Sequence, residues 1–135
     1  MERTKQLSVS LENKPGRLAH LCRCLADRKI NIIALSVSET SEQSLVRLVV
    51  DKPEEAVRML KERPLTFSQT DVLLLEVPNR MGIVAEIAEK LSEKKMNINF
   101  VYGSTGRGRG KTFLVLGASN LRGAEGALAT GQYSG

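Results

Sequence analysis

Leu11-Glu12-Asn13-Lys14-Pro15-Gly16-Arg17-Leu18-Ala19 aligns without a gap on Val77-Pro78-Asn79-Arg80-Met81-Gly82-Ile83-Val84-Ala85, at an offset of 66 residues that carries Asn13 to Asn79 and Gly16 to Gly82. The register continues downstream: Leu21 meets Ile87, Leu25 meets Leu91, Lys29 meets Lys95, and Ile30-Asn31-Ile32 meets Met96-Asn97-Ile98. Agreement from Leu11 through Ile32, in apolar pattern and in polar identity together, identifies an internal duplication.

Each copy carries the same order of elements. Leu7, Val9 and Leu11 alternate with Ser8 and Ser10, the period of a half-buried strand. Pro15-Gly16 follows, with the proline expected in the first turn of a helix, and Leu18, Leu21, Cys22 and Leu25 recur at helical spacing. In the second copy that stripe reads Val84, Ile87, Ala88 and Leu91. Residues 31–39 and 44–51 read as strands joined by the polar turn 40–43, residues 53–62 as a helix with Ala56, Val57 and Leu60 inward, and 65–69 as a closing strand. The second copy reads as strand 72–77, helix 82–94, strands 97–102 and 112–118, and helix 121–128, the last weakened by Gly123 and Gly126. No closing strand is legible after it. The order βαββαβ predicts an α+β protein of two tandem ferredoxin-like modules, residues 5–70 and 71–135, each an antiparallel sheet with its helices on one face. The final strand of the second module is expected to be weak or missing.

Composition excludes several classes. The 41% hydrophobic and 26% charged shares are those of a globular protein. No apolar run reaches the length of a membrane span and no signal peptide opens the chain, so the expected compartment is the cytoplasm, without a membrane partner. Cys22 and Cys24 diverge on one helix and cannot bridge, which leaves Cys22 as a reduced core filler. His20 is the single histidine, too few ligands for a metal site, and no cofactor is expected. The net charge of +5 raises nucleic acid as a partner, but the cations are scattered apart from Arg107, Arg109 and Lys111, and the aromatic surface used for base stacking is sparse. The expectation is no nucleic acid, with residues 103–111 a long hairpin connection.

The turn Asn13-Lys14-Pro15-Gly16-Arg17-Leu18, followed by a helix and Ile30-Asn31-Ile32, resembles the ACT domain, a family of small regulatory modules that bind amino acids and control enzymes of amino-acid metabolism. The resemblance covers residues 5 to 128 as two tandem copies and is strongest to small stand-alone pairs. In serine-sensing members the turn has the form Asn-x-Pro-Gly, its asparagine contacts the ligand, and a second asparagine at the start of the next strand reaches in from a neighbouring module. The resemblance therefore implies ligand contacts at Asn13, Pro15, Gly16 and Asn31, and at Asn79, Met81, Gly82 and Asn97. It places Asn13 opposite Asn97 and Asn79 opposite Asn31. Glu12 also matches the form; Pro78 and Met81 depart from it.

The residue types suit such a ligand. A free amino acid is a zwitterion; a helix N-terminus offers unpaired N–H groups to its carboxylate, and an asparagine amide both donates and accepts without adding charge. The same residues also read as ordinary punctuation, Asn13 and Asn79 as helix N-caps and Asn31 and Asn97 as strand starts. The function expected is a non-catalytic sensor of a free amino acid, a homodimer through open sheet edges, acting on an enzyme of amino-acid metabolism. Two rivals stay open: an interaction module without a small ligand, and a nucleic-acid binder of the same fold. Catalysis is disfavoured because His20 lies in a helix without an evident partner and Glu54, Glu55, Glu86 and Glu89 fall on polar helix sides.

Overall fold

The structure, a computed structural model, describes residues 1–40, 42–104 and 110–129. Ten elements run in the order β1 (Glu2–Glu12), α1 (Arg17–Asp27), β2 (Ile32–Glu39), β3 (Gln43–Val50), α2 (Pro53–Glu62), β4 (Thr66–Pro78), α3 (Ile83–Glu93), β5 (Ile98–Ser104), β6 (Lys111–Ala118) and α4 (Leu121–Ala129). They form an α+β protein of two βαββαβ modules.

The chain packs as two compact units. One is Lys5–Thr70, hereafter the first module; the other joins Met1–Thr4 to the chain from Asp71 onward, hereafter the second module. In the first, strands follow the order β2-β3-β1-β4, with Thr66–Thr70 of β4 closing the sheet. Leu7 pairs with Leu48 and Val9 with Val46 in an antiparallel register, so these side chains share one face. On that face they pack with Leu21, Cys24 and Leu25 of α1 and Ala56, Met59 and Leu60 of α2. Both helices therefore cover the same side of the sheet.

The second module repeats the plan as β5-β6-β4. Its core joins Leu73, Leu75, Val77, Leu114 and Leu116 to Ile83, Ile87 and Leu91 of α3 and Ala124 and Leu128 of α4. The fourth strand, absent from the sequence reading, comes from the opposite end of the chain. The first residues of β1 belong to this unit beside β4, and Arg3 donates from Nε (3.1 Å) and Nη2 (2.6 Å) to Glu125 on α4. Residues 130–135, where no closing strand was legible, lie outside the described residues. One continuous β4 serves as both the closing strand read at 65–69 and the strand read at 72–77.

Several local expectations are corrected. Pro15 does not enter the first turn of α1, because the helix begins at Arg17 with Gly16 as its N-cap. Cys24, not Cys22, fills the core; burial pushes the half-buried Cys22 thiol up. On α3 the inward face is Ile83, Ile87 and Leu91, leaving Val84 exposed. On α2 Met59 is buried with Ala56 and Leu60, while Val57 only packs against the margin.

Both α1 and α3 end in the same way. The N–H groups of Lys29 and Ile30 return to the carbonyls of Ala26 and Leu25, each at 2.9 Å, a Schellman closure. Lys95 and Met96 return to Ser92 and Leu91 at the same distances. Lysine takes the left-handed position usually given to glycine, at φ 59° for Lys29 and 57° for Lys95. This reversal delivers Asn31 and Asn97 to the starts of β2 and β5. Asn120, unread in the sequence, caps α4 by accepting the Gly123 N–H at 2.9 Å. A Cβ on Gly123 would lie 2.6 Å from the Met96 methyl and 2.7 Å from the Asn120 amide nitrogen, so a larger residue there would have to push these side chains aside.

Candidate functional site

The first helix-opening turn grows out of the end of β1. Pairing of Glu12 with Gln43 ends the β1–β3 ladder, and the Asn13 N–H then donates to the Glu42 carbonyl at 3.0 Å. Lys14 N–H turns back to the Glu12 carbonyl (2.9 Å) and Arg17 N–H to that of Lys14 (3.3 Å). Gly16 closes the turn at φ 87°, a backbone state that favours glycine, and a Cβ there would meet nothing within 4 Å. No side chain caps α1 and no acid lies in its first turn. Asn13 is thus no N-cap: its Nδ2 donates to Glu39 Oε1 at 3.0 Å.

Around Asn13 the hairpin gathers carboxylates. An open depression of about 420 Å³ is lined by Glu12, Asn13, Lys14, Glu42 and Gln43. Glu12 receives Lys14 Nζ at 3.0 Å and Arg17 Nη2 at 3.7 Å. The hydrogen bond and charge of Lys14, with Arg17 behind them, hold the Glu12 carboxyl below the usual carboxylate range. The turn thus carries an acidic depression at Glu12, Asn13 and Glu42 and, a few residues further along the chain at Gly16, the uncapped N-terminus of α1.

The second turn has the same backbone and different surroundings. Asn79 N–H donates to the Gly110 carbonyl (2.9 Å), Ile83 N–H to that of Arg80 (3.3 Å), and Gly82 stands at φ 87° as the N-cap of α3. Glu86 lies in the first turn of this helix and accepts from Arg80 Nη2, with Lys90 Nζ 3.9 Å from its other oxygen. Met81 projects fully, 99% exposed. Residues 105–109, including Arg107 and Arg109 of the expected hairpin connection, lie outside the described residues, as does Ser41 in the turn between β2 and β3.

Asn31 and Asn97 precede their strands. The Asn31 N–H donates to Asp51 Oδ1 (2.9 Å) and its carbonyl accepts from the Asp51 N–H (3.1 Å). The Asn97 carbonyl accepts from the Ser119 N–H (3.4 Å), and its Nδ2 lies 3.4 Å from Asn99 Oδ1. Within a module the two asparagines are not brought together. Asn13 lies at the Gln43 end of β3 and Asn31 at the Asp51 end, roughly 26 Å apart at about 3.3 Å per strand residue. Beside the Asn31 end, a second open depression of about 570 Å³ is lined by Arg28, Asp51, Lys52, Pro53, Glu54, Glu55 and Arg58. Its charges engage one another, Glu55 taking Arg28 at 3.3 Å and Arg58 at 2.6 Å.

His20, expected to stand alone, has neighbours: its Nε2 lies 3.7 Å from Cys24 Sγ and 3.2 Å from Arg63 Nη1. Among the described residues no group of three or more His, Cys, Asp or Glu side chains is placed to hold a metal ion, and no helix is long and apolar enough to cross a membrane.

The profile of the family described as an ACT domain pair matches residues 2–128, nearly the whole chain. The chain belongs to the ACT domain pair family. Among solved structures, this ACT pair is similar to a protein from Bacteroides thetaiotaomicron at 31% identity and TM-score 0.88, over 94% of this chain and 87% of that one. It shares the fold of the regulatory subunit of aspartate kinase from Thermus thermophilus, at 14% identity and TM-score 0.68 over 96% of each chain. The corresponding subunit from Thermus flavus aligns at 15% identity and TM-score 0.65, over 96% of this ACT pair and 92% of that chain. No curated protein matches by sequence.

The repeat pointed to the glycines and asparagines of both turns, but not to Glu39 and Glu42, which reach Asn13 through the β2–β3 hairpin rather than through neighbouring sequence. Their one sequence trace is the acidic rim of the polar turn after residue 38.

Proposed function

We propose that this ACT pair is a non-catalytic, cytoplasmic regulatory protein that senses a free amino acid at an interface between ACT modules and modulates an enzyme of amino-acid metabolism. One observation supports the reading: a depression lined by Asn13 and by the carboxylate residues Glu12 and Glu42 stands on the turn that leads, through Gly16, into the uncapped helix α1. The proposed contacts are Asn13, Pro15 and Gly16 from the turn and Asn31 from a strand start, with Asn79, Met81, Gly82 and Asn97 as their duplicates. Because a module holds its two asparagines at opposite ends, a ligand touching both kinds requires a second module. A regulatory role without chemistry is supported by the burial of Cys24, the thiol beside the only histidine, away from any substrate.

Association of two chains fits the same reading. β2 is the edge strand of its module, and Ile33, Leu35 and Val37 along it are 47%, 43% and 46% exposed. An open apolar edge of this kind favours pairing with another strand. This observation also favours the rival reading, an interaction module without a ligand.

Thermal unfolding with each of the twenty proteinogenic L-amino acids at 10 mM separates the two. A ligand present at a hundred times its Kd stabilises the folded state by about 2.7 kcal/mol, so at least one amino acid is expected to raise the midpoint by several degrees. Asn13→Ala abolishes that rise. A flat response to all twenty rejects the sensor and leaves the interaction module.

A further inference from the structure

We infer that two copies of this chain associate through the β2 edge of the first module, strand against strand in antiparallel direction about a two-fold axis near Leu35. The inference narrows the association of two chains proposed above to one edge and one direction, and it stands whether or not an amino acid binds.

The edge is unguarded. Sheet edges that stay single are blunted by lysine, by proline or by a disrupted strand. The residues of β2 include neither lysine nor proline, and its one irregularity falls between Ile32 and Ala34. From Leu35 to Glu39 the ladder to β3 is unbroken, which leaves a regular outer margin. Leu35 and Val37 pair with the core residues Leu48 and Val46, so they lie on the helix-covered face; both are nevertheless exposed, as is Ile33. Apolar residues at 33, 35 and 37 read alike in either direction, the self-complementarity that a two-fold contact requires.

Charge identifies the occupant as a second copy. Lys29 and Lys52 stand exposed at the start of β2, with Lys52 Nζ donating to the Lys29 carbonyl at 2.9 Å. Asp51 at that end is turned to the Asn31 N–H. Glu39 and Glu42 stand exposed at the other end, where Lys14 is engaged by Glu12. One copy reversed against another sets the acidic end on the basic end, and the two-fold axis repeats the match. The edge of the second module does not offer this. Along β5, Val101 is the one large apolar residue that is exposed, and no carboxylate answers Lys94 and Lys95.

Sedimentation of the full chain at micromolar concentration tests the edge, and charge exchange tests the direction. The wild-type chain is expected to be a dimer. Leu35→Glu should weaken it roughly thirtyfold or more, as loss of a central apolar contact does, whereas Val101→Glu should leave it unchanged. Lys29→Glu and Glu39→Lys should each weaken it about tenfold, because like charges then meet twice per dimer. The double variant should return the wild-type constant within about threefold. All of these side chains are exposed, so unfolding midpoints should stay within about two degrees of wild type. Lys29 and Glu39 lie at opposite ends of β2 in one chain, so their mutual rescue requires a partner chain. A monomeric wild-type chain overturns both this inference and the association proposed above. A dimer indifferent to Leu35→Glu overturns the edge, and single exchanges that do not rescue one another overturn the direction; either result leaves the sensor reading intact.

Discussion

At Gly16 and at Gly82 the backbone makes the same move and opens a helix that no side chain caps. Around the first turn stand Glu12, Glu39 and Glu42; around the second, Pro78, Gly110 and an Arg80–Glu86 pair. Duplication preserved the parts set by local backbone geometry, which every copy of the fold needs in order to form. It did not preserve the charges, which pair differently around each turn: Glu12 with Lys14 and Arg17 in the first, Glu86 with Arg80 in the second. Where the two copies agree, the cause is local backbone geometry; where they differ, exposed side chains have diverged.

The largest test of the shared part lies in the cores. Leu25 and Leu91 occupy matching positions, both buried. Leu25→Ala and Leu91→Ala are each expected to cost about 3 kcal/mol in urea unfolding. Costs differing by more than about 2 kcal/mol would show that the copies no longer cohere equally.

Removal of residues 1–4 strikes only the second module. It strips the fourth strand from beside β4 and the Arg3–Glu125 pair from α4. The expected loss is on the order of 2 kcal/mol, at about 1 kcal/mol for each net backbone hydrogen bond. Hydrogen exchange should quicken at Leu73 and Leu75 and stay slow at Leu7 and Val9. Unchanged exchange at Leu73 would deny the N-terminal segment its structural role.

A smaller effect tests the turns themselves. Gly16→Ala and Gly82→Ala meet no steric obstacle, so each pays only for a left-handed backbone, about 1 kcal/mol. Equal costs, read from thermal or urea unfolding, support equivalence of the turns as structure. A zero cost at either position would mean that its turn relaxes to another conformation.

The smallest effect is electrostatic. Lys14 and Arg17 depress the folded-state pKa of Glu12, so its contribution to stability is present above the unfolded value and disappears as pH falls through the folded one. Carboxyl NMR should place the Glu12 midpoint below that of a free glutamate, about 4.3. Lys14→Ala should move it upward; no movement would remove Lys14 as the cause. Pro78, the counterpart of Glu12, has nothing to titrate.

Much of this was open to reading in one dimension. Strand alternation at Leu7, Val9 and Leu11, helical spacing at Leu21 and Leu25, and the 66-residue offset predict two βαββαβ modules, because hydrophobic period follows from local geometry. The errors fall where one residue of rotation or a distant segment decides. Val84 looked inward until Ile83 took the core, since apolar neighbours on a helix cannot both face it. Cys22 lost the core to Cys24 in the same way.

That each module repeats an Asn-x-x-Gly turn leading into a helix was settled by the sequence alone, because helix initiation depends on residues adjacent in the chain; the left-handed state of Gly16 and Gly82, and their place as N-caps, came from the structure. Tertiary structure alone decided that Met1–Thr4 joins the second module, that the hairpin carries Glu39 and Glu42 to Asn13, and that Arg80 meets Glu86. Strand pairing and ion pairing join residues distant along the chain, and nothing in local sequence states which distant partner will arrive.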